Sequence, residues 1–194
     1  MEDITSSCPD FESNFGLLRK SVAEVVERHE FTEKAFTGWS SIPLRSVGGG
    51  IDKKASSGCG MAASSNPDIF KDTPYMTPCI RQFIERISGE VLKVRLLRLK
   101  AHSSIPPHCD FFKRGREVSR VHVPIGTNPA VLFTVVNETR HLAAGRMYVV
   151  DVSQRHSVVN DGDSDRIHLV FDVCSFRTPA VPRLAQTDPH PEAQ

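Results

Sequence analysis

The feature that most constrains this chain is the texture of its second half. From Val91 onward the segments "VLKVRLLRLKA", "RVHVPI", "AVLFTVV", "RMYVVDV", "HSVVN" and "RIHLVFDV" follow one another. Each is short, β-branched and partly alternating, and turn-forming stretches such as "GTNP", "NETRHLAAG" and "NDGDSD" separate them. Strands this closely spaced, with no helical period between them, leave no room for the crossovers of a parallel sheet. They predict an antiparallel sandwich or barrel.

The first half has a different texture. In "FESNFGLLRKSVAEVVERHEF" the residues Leu17, Leu18, Val22, Val25 and Val26 recur at helical spacing, with charges on the other side. "MTPCIRQFIERISGE" reads as a second helix, with Thr77 as its cap, Pro78 at its first position and Gly89 as its stop. Its buried stripe is Ile80, Phe83, Ile84 and Ile87. "GWSSIPLRSV" reads as a short extended piece with Ile42, Leu44 and Trp39 facing inward. The Gly- and Ser-rich stretch from Gly48 to Phe70 reads either as a mobile surface loop or as a lid over an active site. The Pro-rich tail, 177–194, lacks a core pattern and is expected to be disordered. The expected fold is mainly β: one domain over 1–176, with helices and loops in 1–90 and a jelly-roll, cupin-like β-core in 91–176.

The chain has 194 residues, enough for one sizeable core. Its 24 Lys and Arg nearly cancel its 23 Asp and Glu, so nothing points to nucleic acid or an anionic membrane. The acidic start "MEDITSSCPD" has neither the basic nor the apolar region of a secretory signal, and no apolar run approaches the roughly 20 residues of a membrane span. Its five cysteines are odd in number and contain no CxxC pair. That argues against a disulfide framework and a structural zinc site, and for a reducing, cytoplasmic setting.

Chemistry concentrates around "IPPHCDFF", where His108 and Asp110 stand at i and i+2 and point to the same side of an extended chain. Taken alone, the pair reads as a metal claw or as a solvated turn. Cys109 between them faces away and reads as packing. His156, in "VSQRHSVVN", and Arg166, opening the last strand, follow within the same β-core. Two imidazoles and one carboxylate suit a divalent first-row metal; with positions left open they suit non-haem Fe(II), which both a co-substrate and O2 must reach. Arg166 offers the fork of donors that a 2-oxoacid with a distal carboxylate would require. On a strand Arg166 shares a face with His168, and Arg120 with His122, while Ile167, Leu169, Phe171, Val121 and Val123 face the other way. Polar residues facing into an apolar barrel are costly unless they bind something. Taken singly, His168 reads as a satisfied barrel histidine. His102 and His141 read as exposed, and Asp163 and Asp165 as turn chemistry.

The blocks "WSSIPLRSVGG", "VRLLRLKAHSSIPPHCD", "SRVHVPIGTNP" and "HLAAGRMYVVDVSQRHSVVNDGDSDRIHLVFDV" resemble the aspartyl/asparaginyl beta-hydroxylase family over about 39–173. These are Fe(II)- and 2-oxoglutarate-dependent dioxygenases with a double-stranded β-helix core. The resemblance implies that His108, Asp110 and His156 bind iron, and that Arg166 holds the distal carboxylate of 2-oxoglutarate. Arg120 and His122 would line the co-substrate site. Trp39, Arg45, Arg98 and the 48–70 stretch would face the mouth, where arginines suit an acidic substrate. Animal members acting on EGF-like domains lack the carboxylate ligand, whereas this chain retains Asp110 and resembles small bacterial relatives, some of which hydroxylate free amino acids. Asp110 also favours hydroxylation over halogenation, because halide occupies the position that a small residue vacates. The expected substrate is a free amino acid, a peptidyl Asp or Asn, or an amino-acid-derived small molecule. Two rival classes remain: a cupin dioxygenase or isomerase would keep the metal but not need Arg166, and a binding module would need neither an open metal site nor a lid.

Overall fold

The computed structural model describes residues 1–8, 10–33, 38–52, 67–87, 89–110 and 118–174. Most of the expected lid, and the expected disordered tail, lie outside these residues. The first half contains β1 (Glu2–Asp3), α1 (Phe11–Arg28), β2 (Thr32–Glu33), β3 (Trp39–Val47), β4 (Phe70–Asp72) and α2 (Pro78–Glu85). The second half contains β5 (Glu90–Leu99), β6 (Ser103–His108), β7 (Val118–Gly126), β8 (Val131–Val135), β9 (Glu138–Arg140), β10 (Tyr148–Val150), β11 (His156–Asn160) and β12 (Arg166–Cys174).

The strands form two antiparallel sheets. The larger runs β1-β10-β7-β12-β5-β3-β2, with β4 also on β3, and the smaller runs β6-β11-β8-β9. From β5 onward the chain alternates between them, with only β8 and β9 consecutive in one sheet. That interleaving winds the two sheets into a double-stranded β-helix, the jelly-roll expected from the strand spacing.

The larger sheet has two differently used faces. Its odd positions on β7 and β12 (Val121, Val123, Leu169, Phe171 and Val173) are fully buried against the helices. Leu18, Val22 and Val25 of α1 and Ile80, Phe83 and Ile84 of α2 close that layer. Burying such apolar surface at roughly 25 cal/mol per Å² is what fastens the helices to the sheet. The other face meets the smaller sheet around Leu99, Ile105, Phe133, Val135, Tyr148 and Val150, with Trp39 packed against them.

The helices depart from the sequence reading in detail. Leu17 is 61% exposed, and Phe11 takes a place in the buried stripe instead. Thr77 caps α2, accepting from the Ile80 N–H at 3.2 Å, with Pro78 in the first turn. The helix ends at Glu85, before Gly89, because the Arg86 N–H already turns back onto the carbonyls of Phe83 and Ile84. Ile42 and Leu44 face the helices, while Trp39 lies on the opposite face.

Candidate metal centre

His108 ends β6 and His156 begins β11, and the two are directly opposite in the antiparallel register. Their ring centroids are 4.3 Å apart. The backbone N–H of Asp110 donates to the carbonyl of Val152 at 2.8 Å, which holds the chain beyond β6 over the same spot. One ligand atom each from His108, Asp110 and His156 lies within 4.8 Å of the other two.

Both imidazoles are set in the same way. Each Nδ1 lies 2.9 Å from the carbonyl two residues earlier, that of Pro106 for His108 and of Gln154 for His156. A carbonyl only accepts, so Nδ1 carries the proton and Nε2 keeps its lone pair. Metal-binding histidines use this arrangement: the outer nitrogen is tethered, and tautomer and ring orientation are fixed together. Burial also pushes His156 below the usual histidine range, towards the neutral ligand form.

Asp110 divides its oxygens. Oδ1 lies 3.8 Å from His108 Nε2, and Oδ2 is paired with the Arg120 guanidinium. Burial alone would raise the Asp110 pKa, but the charges of Arg120 and then Arg95 outweigh it and hold the group ionised. Behind it, Arg120 Nε donates to Asp172 Oδ1 at 2.7 Å, and Arg120 Nη2 and Arg95 Nη2 donate to Asp172 Oδ2 at 3.2 and 3.4 Å. Asp172 and Arg95 are both buried. A buried carboxylate between two arginines is costly to isolate and stable as a set.

Arg166 has a different setting. It is 1% exposed and faces the barrel, and among the described residues no carboxylate pairs with it. Nη2 donates to His168 Nδ1 at 3.0 Å, while Nε and Nη1 are buried without a hydrogen-bond partner among those residues. Burial pushes it down to about 9, which still leaves it cationic at neutral pH. Phe133 links the two regions, stacking on His156 at 6.0 Å and meeting His122 edge-on at 5.3 Å.

The residues present therefore match the chemistry of a facial metal and a bound carboxylate: two lone-pair nitrogens, one ionised oxygen, and a buried cation with unused donors. The structure brings together His108, Asp110 and His156, with Trp39 beside them at 6.3 Å between its ring and that of His108. It also brings together Arg166, His122 and His168. Arg120 sits on Asp110 and Asp172 rather than at Arg166.

Two of the expected mouth residues lie on the helix side of the larger sheet in the structure. A register shift between Pro43 and Arg45 sets Arg45 opposite Val94 on the helix side. There it pairs with Asp72 at 3.0 Å, and Arg81 of α2 holds the same carboxylate at 2.8 Å. Arg98 alternates with Leu97 and Leu99, so it too leaves the barrel; it lies over the Phe31 ring at 4.3 Å and donates to Ser40 Oγ at 3.1 Å. The sequence reading missed Arg95 and Asp172. Asp172 was open to discovery, being in phase with Arg166 and His168 on one strand.

The sequence matches the aspartyl/asparaginyl beta-hydroxylase family over residues 12–175. The chain belongs to that family. Among curated proteins it is 23% identical over 153 residues to the L-proline cis-4-hydroxylase of Rhizobium meliloti (strain 1021), an alignment covering 78% of this chain and 54% of that enzyme. The chain thus spans about half the length of that curated relative. Solved structures similar to it include the cupin domain of Schizosaccharomyces pombe Cnp3 and KdgF from Halomonas sp. The first has a TM-score of 0.43 at 9% identity, covering 77% of this chain and 71% of that one. The second has a TM-score of 0.40 at 11% identity, covering 76% and 91%. Neither bears on function. Family membership makes this chain a member of a hydroxylase lineage on a jelly-roll scaffold. No helix among the described residues is long and apolar enough to cross a membrane.

Proposed function

We propose that this hydroxylase-family chain is an Fe(II)- and 2-oxoglutarate-dependent dioxygenase, acting in the cytoplasm on an unactivated C–H bond. Its substrate is a free amino acid, a peptidyl Asp or Asn side chain, or an amino-acid-derived small molecule. The observation that carries the reading is the pairing, inside one barrel, of a His–Asp–His cluster with a buried arginine that has no carboxylate partner among the described residues. Bound Fe(II) and 2-oxoglutarate supply the oxidation: O2 delivers one atom to the C–H bond and one to the 2-oxoacid, which leaves as succinate and CO2.

The chain's own part is positioning and charge. His108 and His156 present Nε2 because their Nδ1 protons are tied to backbone carbonyls. Asp110 offers Oδ1 because Arg120 occupies Oδ2. Arg166 holds the distal carboxylate, whose charge removes the penalty of an unpaired buried cation. Trp39 and Phe133 supply apolar walls that exclude water from the reacting region. The proline hydroxylase relative supports a small amino-acid substrate.

The test uses anaerobic protein with Fe(II), 2-oxoglutarate and a panel of free amino acids and short Asp or Asn peptides. On exposure to air, mass spectrometry should find succinate in step with a product one oxygen heavier. A protein that binds iron and never consumes 2-oxoglutarate would move a 2-oxoglutarate-independent cupin reaction to the front.

A further inference from the structure

The proposed function uses Arg166, but the buried cluster around it holds another donor. His168 follows on the same barrel-facing side of β12 and is 1% exposed. Arg166 Nη2 lies 3.0 Å from its Nδ1, and a guanidinium can only donate. His168 Nδ1 must then hold a lone pair, and the neutral ring's proton sits on Nε2. His122 Nδ1 approaches the same lone pair at 3.3 Å, so His122 carries its own proton on Nδ1 and none on Nε2. Burial, and then the charge of Arg166, push both rings well below the usual histidine range, which keeps them in these neutral tautomers.

The hydrogen-bond inventory is therefore lopsided. Arg166 Nε–H, Arg166 Nη1–H and His168 Nε2–H are buried donors without a partner among the described residues, and His122 Nε2 is a bare acceptor. Buried donors are rarely left unmet in folded proteins. Three of them on neighbouring side chains call for an occupant rich in acceptors.

We propose that His168 is a second anchor for the distal carboxylate of 2-oxoglutarate, donating Nε2–H to it beside Arg166. His122, with no proton on Nε2, cannot donate to that carboxylate; it is a positioning residue that locks the His168 ring. The proposal rests on the reading that Arg166 receives the carboxylate, and the experiment separates the two.

Calorimetric titration of Zn(II)-loaded protein without O2 gives affinities for 2-oxoglutarate and for 2-oxobutanoate, which shares the keto-acid end and lacks the distal carboxylate. His168→Phe should weaken 2-oxoglutarate by about 10–100-fold, the worth of one hydrogen bond to a charged group, and leave 2-oxobutanoate unchanged. His168→Gln, which returns an N–H to a similar reach, should recover most of the loss. An unchanged 2-oxoglutarate affinity in folded His168→Phe overturns the proposal, and so does an equal loss for both acids, the mark of a merely structural role. If wild-type protein shows no preference for 2-oxoglutarate, the reading of Arg166 falls first and the anchor with it. Histidine-labelled wild-type protein gives an answer without any substitution. The His168 Nε2–H resonance should shift on adding 2-oxoglutarate and not on adding 2-oxobutanoate; no shift with either acid overturns the proposal.

Discussion

Strand β12 has two faces built for opposite purposes. Towards the helices it presents Ile167, Leu169, Phe171 and Val173, an apolar row in which the last three residues have no exposed surface. Towards the barrel it presents the buried polar residues Arg166, His168 and Asp172, with Val170 between them. The first face gains stability from every contact. The second holds charge, and donors unmet among the described residues, in a place where desolvation is expensive. One strand thus carries both the fastening of the fold and the cost of the site, separated only by the side-to-side alternation of its residues. The difference teaches where to expect trade-offs: substitutions on the helix face should damage folding, and substitutions on the barrel face should damage chemistry.

The sharpest test on the barrel side is Asp110→Ala. It removes the proposed anionic ligand and takes the Asp110 carboxylate away from Arg120. Turnover should be abolished, as followed by succinate release, and a variant with near-normal succinate formation would end the assignment of Asp110 as a ligand. The matching test on the helix side is Phe171→Ala. Phe171 is fully buried and meets Phe83 edge-on at 6.3 Å. Its truncation should cost about 3–5 kcal/mol of unfolding free energy in urea, the range for deleting a core aromatic. The folded fraction should still bind metal; a variant of wild-type stability that had lost its metal would invert the comparison.

Arg166→Met should separate the faces most clearly, because its two effects carry opposite signs. The 2-oxoglutarate requirement should rise strongly, since the distal carboxylate loses its cation. Unfolding free energy should stay level or increase, by up to about 1–4 kcal/mol, since an apolar chain of similar length replaces a buried charge that no carboxylate pairs with among the described residues. Equilibrium denaturation without 2-oxoglutarate checks the second effect, and clear destabilisation would mean that Arg166 has a structural partner after all.

How much of this was legible in the sequence depends on which signal carried each element. The strands from β5 to β12 were mostly readable, because β-branched alternation and turn residues mark them directly. Strand β6 was not, although it bears His108, because Pro106 and Pro107 argue against a ladder; it is tolerated as the edge strand of the smaller sheet, where an absent N–H breaks no pairing. Strand β9 hid in turn-like sequence because its three residues are exposed. The candidate His–Asp–His trio was legible as residue types in order, yet only the fold shows His108 and His156 as cross-strand neighbours. In "VRLLRLK" both faces are equally apolar, so nothing in the sequence says whether Arg95 or Arg98 turns inward. The structure chooses Arg95. His168 looked like a satisfied barrel histidine; it is buried as expected, but its Nε2 is left without a partner among the described residues.

The smallest expected effect comes from Arg45, and it tests the boundary between the two faces. A one-residue slip in register sends a whole strand segment to the other side of a sheet. At β3 the shift between Pro43 and Arg45 does this, placing Arg45 with Asp72 and Arg81 beneath α2. The pair is partly exposed, so Arg45→Ala should cost no more than about 1 kcal/mol of stability. Its KM for substrate and for 2-oxoglutarate should match those of the wild type. A raised KM for an acidic substrate would instead mean that β3 presents Arg45 to the barrel mouth in the working enzyme, and the shift would then be a point where the strand changes register rather than a fixed feature of the sheet.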